Sequence, residues 1–265
     1  MAEYKEHAPG TFCWVDLATT DAEGAKKFYS ECMGWKTVDT PAAPGMLYTM
    51  LQLGEKEVAA LYSMNEEQRS RGIHPHWLSY VSVADADQAA AKARQLGATV
   101  MQEPLGVSEA GRMAVIQDPT GAVFAVWQPR QHIGALLKGE PRTFCWNELM
   151  TNDEQKAGKF YADLFGWTSQ TQQMADGSLY TTFKMDDMEA GGMMRIREEW
   201  GAVPPNWMVY FAVEDCEASA EKAKSMGAEI VVPATHIPNV GTFAVIEDPQ
   251  GAASGIIQLV SHGHE

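Results

Sequence analysis

The chain of 265 residues is short of positive charge, of paired cysteine and of long apolar runs, and each shortage excludes a class of function. Lys and Arg number 20 against 35 Asp and Glu, a formal net charge of −15. Phosphate backbones and anionic membranes are gripped by basic faces, so neither nucleic acid nor membrane is expected as a partner. The acidity otherwise serves solubility. No apolar run nears the roughly 20 residues that a bilayer-spanning helix needs. The opening Met1-Ala2-Glu3-Tyr4-Lys5-Glu6-His7 lacks the apolar region of a secretion signal. Cys13, Cys32, Cys145 and Cys216 are scattered, with no C-x-x-C pair. They fit the reduced thiols of a cytoplasmic protein, not a disulfide framework or a zinc site. No P-loop, dinucleotide fingerprint or Gly-rich phosphate loop occurs.

What is present is repetition. Thr11-Phe12-Cys13-Trp14 returns 132 residues later as Thr143-Phe144-Cys145-Trp146. At the same offset Lys27-Phe28-Tyr29 matches Lys159-Phe160-Tyr161, and Gly34-Trp35 matches Gly166-Trp167. Further on the offset becomes 130: Trp77 matches Trp207, Gly97-Ala98 matches Gly227-Ala228, and Asp118-Pro119-x-Gly121-Ala122 matches Asp248-Pro249-x-Gly251-Ala252. A repeat this long signals duplicated structural units. Two domains are expected, 8–129 and 143–262. They are joined by a Pro- and Gly-bearing linker, 130–142, whose Ile133, Leu136 and Leu137 should pack on a domain.

Within a copy the pattern repeats once more. Phe12 to Thr19 reads as a strand. Ala22 to Met33 reads as a helix capped by Thr20-Asp21 and ended by Gly34. Strands are expected at 35–37, 47–53 and 58–63, then a strand at 77–83, a helix at 85–96 and strands at 98–102, 113–117 and 123–127. The Asp118-Pro119-Thr120-Gly121 turn links the last two as a hairpin. Each copy is thus βαβββ twice over, an α+β fold arising from tandem duplication.

Paired βαβββ modules carrying Thr20-Asp21, Phe28-Tyr29, Gly34-Trp35 and the Asp-Pro-x-Gly hairpin resemble the glyoxalase / bleomycin-resistance / dioxygenase (vicinal oxygen chelate) superfamily. The resemblance covers nearly the whole chain, twice. It implies that each copy forms an incomplete eight-stranded barrel around a small-molecule cavity. The Trp-x-[Asp/Glu] start and the stretch Arg130 to Ala135 also resemble two-domain actinobacterial glyoxalase-like proteins related to the mycobacterial 27 kDa antigen.

The resemblance further implies a divalent metal held by His and Glu on the cavity strands. The corresponding positions here hold Trp14 and Trp146, Ala59-Ala60-Leu61 and Gly191-Gly192-Met193, Leu78 and Met208, and Ala125 and Gly255. None offers a hard donor. His7, His74, His76, His132, His236, His262 and His264 form no pair with metal-site spacing; His74-Pro75-His76 comes closest, on an expected loop without a carboxylate. No cofactor is expected, and a divalent metal is disfavoured.

Strand alternation puts Phe12, Trp14 and Asp16 on one face, and Phe144, Trp146 and Glu148 on its repeat. A carboxylate in an apolar pocket has a raised pKa and can exchange protons, so Asp16 and Glu148 are the catalytic candidates. The alternative is that both accept hydrogen bonds from loops or from the facing domain. Substrate-binding candidates are Trp14, Trp146, Tyr48, Tyr180, His76, Asn206, Leu78, Met208 and His236, the last in an expected loop before the hairpin. The competing reading makes them strand aromatics, core residues and solvated histidines. Arg112 could read an anion or form a surface ion pair. Three functions stay open. One is a lyase, isomerase or tailoring enzyme working by carboxylate acid–base chemistry. The second is a sequestering protein of the bleomycin-resistance type, and the third an interaction protein with relic pockets. The expected partner is a small organic ligand, and the expected state a monomer or homodimer.

Overall fold

A computed structural model describes residues 3–43, 45–174 and 176–260. His262, His264 and the last two residues of the expected second domain lie outside them. Two eight-stranded mixed sheets form, each from one copy. The first contains β1 (Phe12–Thr19), β2 (Lys36–Ala43), β3 (Met46–Leu53), β4 (Lys56–Ser63), β5 (His76–Ser82), β6 (Thr99–Val107), β7 (Gly111–Gln117) and β8 (Val123–Pro129), in the order β2-β3-β4-β1-β5-β8-β7-β6. The second contains β9 (Phe144–Thr151), β10 (Thr168–Gln173), β11 (Leu179–Met185), β12 (Met188–Arg195), β13 (Asn206–Ala212), β14 (Glu229–Ile237), β15 (Gly241–Glu247) and β16 (Ala253–Leu259), in the same relative order. Each sheet joins two βαβββ modules through its central strand pair, β1–β5 or β9–β13, and stays open at its ends as an incomplete barrel.

The helices are α1 (Ala22–Met33), α2 (Glu66–Ser70), α3 (Ala86–Gln95), α4 (Glu154–Phe165) and α5 (Cys216–Ser225). Asp21, Asp85, Asp153 and Asp215 each cap a helix by accepting a backbone N–H, and Gly34 and Gly166 end α1 and α4 in the left-handed conformation. The short α2 is additional to the sequence reading; an Asn65/Gln68 capping box starts it. Strands β2 and β6 run well beyond the expected 35–37 and 98–102, and His76 opens a strand instead of lying in a loop.

Each sheet has two unlike faces. One packs against helices and the other copy. Tyr29 on α1 accepts from Trp77 Nε1 at 3.1 Å and donates to Asp248 of the second copy at 3.0 Å. Tyr161 on α4 accepts from Trp207 Nε1 and donates to Asp118 of the first copy, both at 2.8 Å. Asp118 and Asp248 are the acids of the two Asp-Pro-x-Gly hairpins. Asp118 Oδ1 also accepts the backbone N–H groups of Thr120, Gly121 and Ala122, so one carboxylate orders its own turn and clamps the partner copy. Trp35, Trp77 and Phe211 interlock around one such clamp, and Trp167, Trp207 and Phe12 around the other. The two copies therefore share one continuous apolar core.

The segment 130–138 is firmly bound to the first sheet. Ala135 N–H and Leu136 N–H donate to the carbonyls of Cys13 and Glu57, both at 2.8 Å, and His7 Nε2 lies 2.8 Å from the Ala135 carbonyl. Gly134 sits at φ +108°, where a side chain would strike the Cys13 carbonyl.

Candidate functional site

The other face of each sheet carries the candidate acids. Trp14 pairs with Tyr80 across β1–β5, and Asp16 with Leu78; Asp16 also lies beside Ala60 on β4. Directly paired residues share a face, so these side chains converge. Trp14 Nε1 donates to the Tyr48 hydroxyl at 2.9 Å, and Tyr48 donates to Asp16 Oδ2 at 2.9 Å. Tyr80 donates to the same oxygen at 2.8 Å. Asp16 is 2% exposed, and its Oδ1 is buried without a partner. Burial raises the Asp16 pKa to about 6, against the two phenol bonds that favour its charge. Tyr48 and Tyr80 are held well above the ordinary phenol range, by burial and then by the nearby acid, so they remain donors at neutral pH.

The second copy repeats the arrangement with a longer acid. Trp146 pairs with Tyr210, and Glu148 with Met208 and Gly192. Trp146 Nε1 donates to Tyr180 at 2.9 Å, and Tyr210 donates to Glu148 Oε1 at 3.1 Å. Tyr180 stands beside the same acid. Burial lifts the Glu148 pKa above the usual carboxylate range.

The structure thus brings together Trp14, Asp16, Tyr48 and Leu78, and likewise Trp146, Glu148, Tyr180 and Met208. His76 and Asn206 start β5 and β13 on these faces, opposite Ala18 and Met150. Their side chains turn to the backbone, His76 Nδ1 lying 2.8 Å from the His74 carbonyl and Asn206 Nδ2 donating to Pro204 O at 2.8 Å. His236 departs from expectation. It lies within edge strand β14, exposed, opposite Thr242 and not on the Tyr210–Phe243 face, so it does not join Glu148. Phe12 departs too. A register shift between Phe12 and Trp14 turns it to the opposite face, against Trp167 and Trp207 of the second copy. Phe144 pairs with Phe211 beyond the matching shift. Arg112 forms an exposed two-point pair with Asp87.

Tyr80 and Tyr210 were not among the candidates. The signal was available: each lies two residues beyond Leu78 or Met208, hence on the same strand face, and the two obey the repeat offset.

The donor set does not fit a divalent ion. The superfamily's ligand positions meet on the acid-bearing faces as Trp14, Ala60, Leu78 and Ala125, and as Trp146, Gly192, Met208 and Gly255. In the second copy their space is taken: a Cβ on Gly192 would meet the Tyr180 hydroxyl, and one on Gly255 the Tyr210 ring. Among the described residues no three His, Cys, Asp or Glu side chains gather.

A sequence model of the Glyoxalase/Bleomycin resistance protein/Dioxygenase superfamily matches residues 11–126 and again 143–254. "Putative glyoxylase CFP32" of Mycobacterium bovis and of Mycobacterium tuberculosis is 40% identical over 259 residues, spanning 97% of this chain and 98% of the relative. The anthracycline biosynthesis protein DauV of Streptomyces sp. (strain C5) is 31% identical over 95% of this chain and 94% of its own. Among solved structures, the Mn(II)-bound glyoxalase from Novosphingobium aromaticivorans superposes with a TM-score of 0.66 at 17% identity, covering 94% of this chain and 82% of that one. This last likeness concerns the fold alone.

Proposed function

The chain belongs to the Glyoxalase/Bleomycin resistance protein/Dioxygenase superfamily, and on that premise we propose that it binds a small organic molecule and transforms it by carboxylate acid–base chemistry without the usual metal centre. The observation that carries this reading is Asp16: a buried acid whose Oδ2 receives two phenol hydrogen bonds while Oδ1 has no partner. An acid of pKa about 6 can take a proton near neutral pH and give it back. Ionised Asp16 would accept a proton from the ligand on Oδ1, with Tyr48 and Tyr80 stabilising the charge on Oδ2 beforehand. Returning that proton to another ligand atom completes an isomerisation or an elimination. Glu148, Tyr180 and Tyr210 offer the same chemistry in the second copy.

The kinship with anthracycline biosynthesis proteins and the paired indoles and phenols favour a flat, hydroxylated aromatic ligand and a tailoring reaction. The near-complete burial of Asp16 and Trp14 favours a second reading, sequestration of such a ligand between aromatic walls. Asp16→Asn and Glu148→Gln variants separate the two. They are compared with wild type for binding of a panel of hydroxylated polycyclic aromatics, followed by tryptophan fluorescence, and for product formation, followed by mass spectrometry. Turnover in wild type, lost in a variant that still binds, supports the enzyme. Binding without product in all three proteins sinks it in favour of sequestration.

A further inference from the structure

The stretch Arg130 to Ala135 carries none of the acid and phenol residues. The structure lays it along β1, so that His132 reaches Trp14. The imidazole stands edge-on to the indole with centroids 4.7 Å apart, and edge-on to Trp127 at 5.9 Å. It is fixed from behind. Trp127 Nε1 donates to the His132 carbonyl at 2.8 Å, and His132 N–H donates to Ala110 O at 3.1 Å. His132 Nε2 is buried with no aligned hydrogen-bond partner and lies 3.3 Å from Glu57 Oε2 on β4. Under this cover Trp14 is only 4% exposed, whereas Trp146 is half-buried.

We propose that His132 is a positioning residue of the first site: it braces the Trp14 indole, and the indole fixes Tyr48, which fixes the Asp16 carboxylate with Oδ1 left free for a ligand. The chain of contact is continuous: ring on ring, then Trp14 to Tyr48 and Tyr48 to Asp16, both at 2.9 Å. Edge-to-face aromatic pairs of this geometry favour one orientation of both rings. The link between copies is therefore part of the first site's wall. Only the ligand's place on Oδ1 rests on the acid–base reading; the bracing can be measured without any ligand.

The titratable and charged groups around the imidazole are few. Glu57 faces it from β4, where the contact holds its carboxyl below the usual range. His7 stands near from the N-terminal segment, and Lys138 of the same strap lies beside His7. Because these could act by charge, the test must separate shape from charge. His132→Ala removes the ring, His132→Phe keeps ring without charge, and His132→Gln keeps polarity without ring. In each full-length variant the Trp14 indole N–H resonance and the Asp16 carboxyl carbon are followed by NMR through a pH titration. The Trp146 and Glu148 signals report in the same spectra whether the fold is intact.

In His132→Ala the Trp14 N–H signal should shift and broaden. The Asp16 midpoint should rise by roughly half a unit, as its Tyr48 donor loosens. His132→Phe should restore both, His132→Gln neither, and the Trp146 and Glu148 signals should stay fixed. Unchanged Trp14 and Asp16 signals in His132→Ala overturn the proposal, and so does rescue by Gln instead of Phe. Movement of the second-copy signals together with the first overturns it as well, since the effect would then be global. Absence of turnover in wild type would refute the acid–base reading and leave this result standing.

Discussion

The two acid clusters differ by one methylene, and the surroundings differ to match. The first copy has Asp16 with Ala60 and Ala125 facing it; the second has Glu148 with Gly192 and Gly255 at the same register positions. In the second copy the Tyr180 hydroxyl and the Tyr210 ring occupy space that an alanine Cβ would need. The shorter acid tolerates both methyl groups. Keeping an acid between two tyrosines while resizing three positions indicates that the acid–phenol arrangement, not the bare sheet, is what both faces are built around. The copies part company elsewhere. Tyr62 stacks on Tyr48 in the first, and the matching partner of Tyr180 is Met194; only the first has the His132 strap among the described residues.

The largest test of the comparison lies on the packing faces. Trp35 and Trp167 are repeat-equivalents, each 2% exposed. Trp167 meets Phe12, Tyr161, Phe165, Phe183 and Trp207, while Trp35 meets Tyr29, Trp77 and Phe211. Truncation to Ala should cost about 3–5 kcal/mol at either site, with Trp167→Ala the costlier. Urea melts should keep one transition in both variants, because the core is shared. Two separated transitions would show that the copies are independent after all.

The next effect is pH dependence. The folded Asp16 pKa of about 6 stands above the value of 3.8 for the free side chain. Between those values the folded state holds a proton that the unfolded chain has released. Asp16 therefore favours folding fully below about pH 4, and that contribution is lost as pH rises through about 6. The loss amounts to about 3 kcal/mol. The stability difference between Asp16→Asn and wild type should accordingly grow in the variant's favour from pH 4 to pH 7. Glu148→Gln should move in the same direction. A flat difference for Asp16 would mean that water reaches the acid freely.

Sterics give a sharper, smaller contrast. Gly255→Ala forces a Cβ into the Tyr210 ring and should cost about 1–3 kcal/mol. Ala125→Gly, the mirror change in the first copy, removes only a methyl group and should cost about 0.5–1 kcal/mol. Equal costs in thermal melts would undo the claim that acid length and backbone space were fitted together. A Glu148→Asp, Gly255→Ala double variant should recover part of the loss if they were.

Much of this was legible in the residues alone, and the rest was hidden for physical reasons. The repeat, the helix cap at Asp21, and the shared face of Trp14 and Asp16 follow from spacing and period. Phe12 misled because a single bulge reverses which face a strand residue takes, and alternation carries no mark of a bulge. His236 misled because the strand before its hairpin runs longer than its apolar residues suggest. Thr, Pro and Glu tolerate an exposed edge strand and leave no hydrophobic trace. His132 was invisible as a site residue because its role depends on a linker folding back over a sheet, a long-range contact that no local pattern encodes.

The finest test compares the second phenols. Tyr80 donates to Asp16 at 2.8 Å and Tyr210 to Glu148 at 3.1 Å. Both acids are buried, so neither lost donor is replaced readily by water. Bonds to an ionised acceptor are stronger than bonds to its neutral form. At pH 8, with Asp16 ionised, Tyr80→Phe should cost about 1–2 kcal/mol, and Tyr210→Phe, which loses a longer bond, about 1 kcal/mol. At pH 5 the Asp16 carboxyl is largely protonated, given its pKa of about 6, and the cost of Tyr80→Phe should fall toward half. The carboxyl carbon of Asp16 should titrate higher in Tyr80→Phe, since the bond it loses favoured the charged form. Urea melts at the two pH values and one NMR titration measure all of this. A Tyr210→Phe cost equal to that of Tyr80→Phe, with no dependence on pH, would reduce both phenols to packing residues and make the two copies alike where the structure holds them apart.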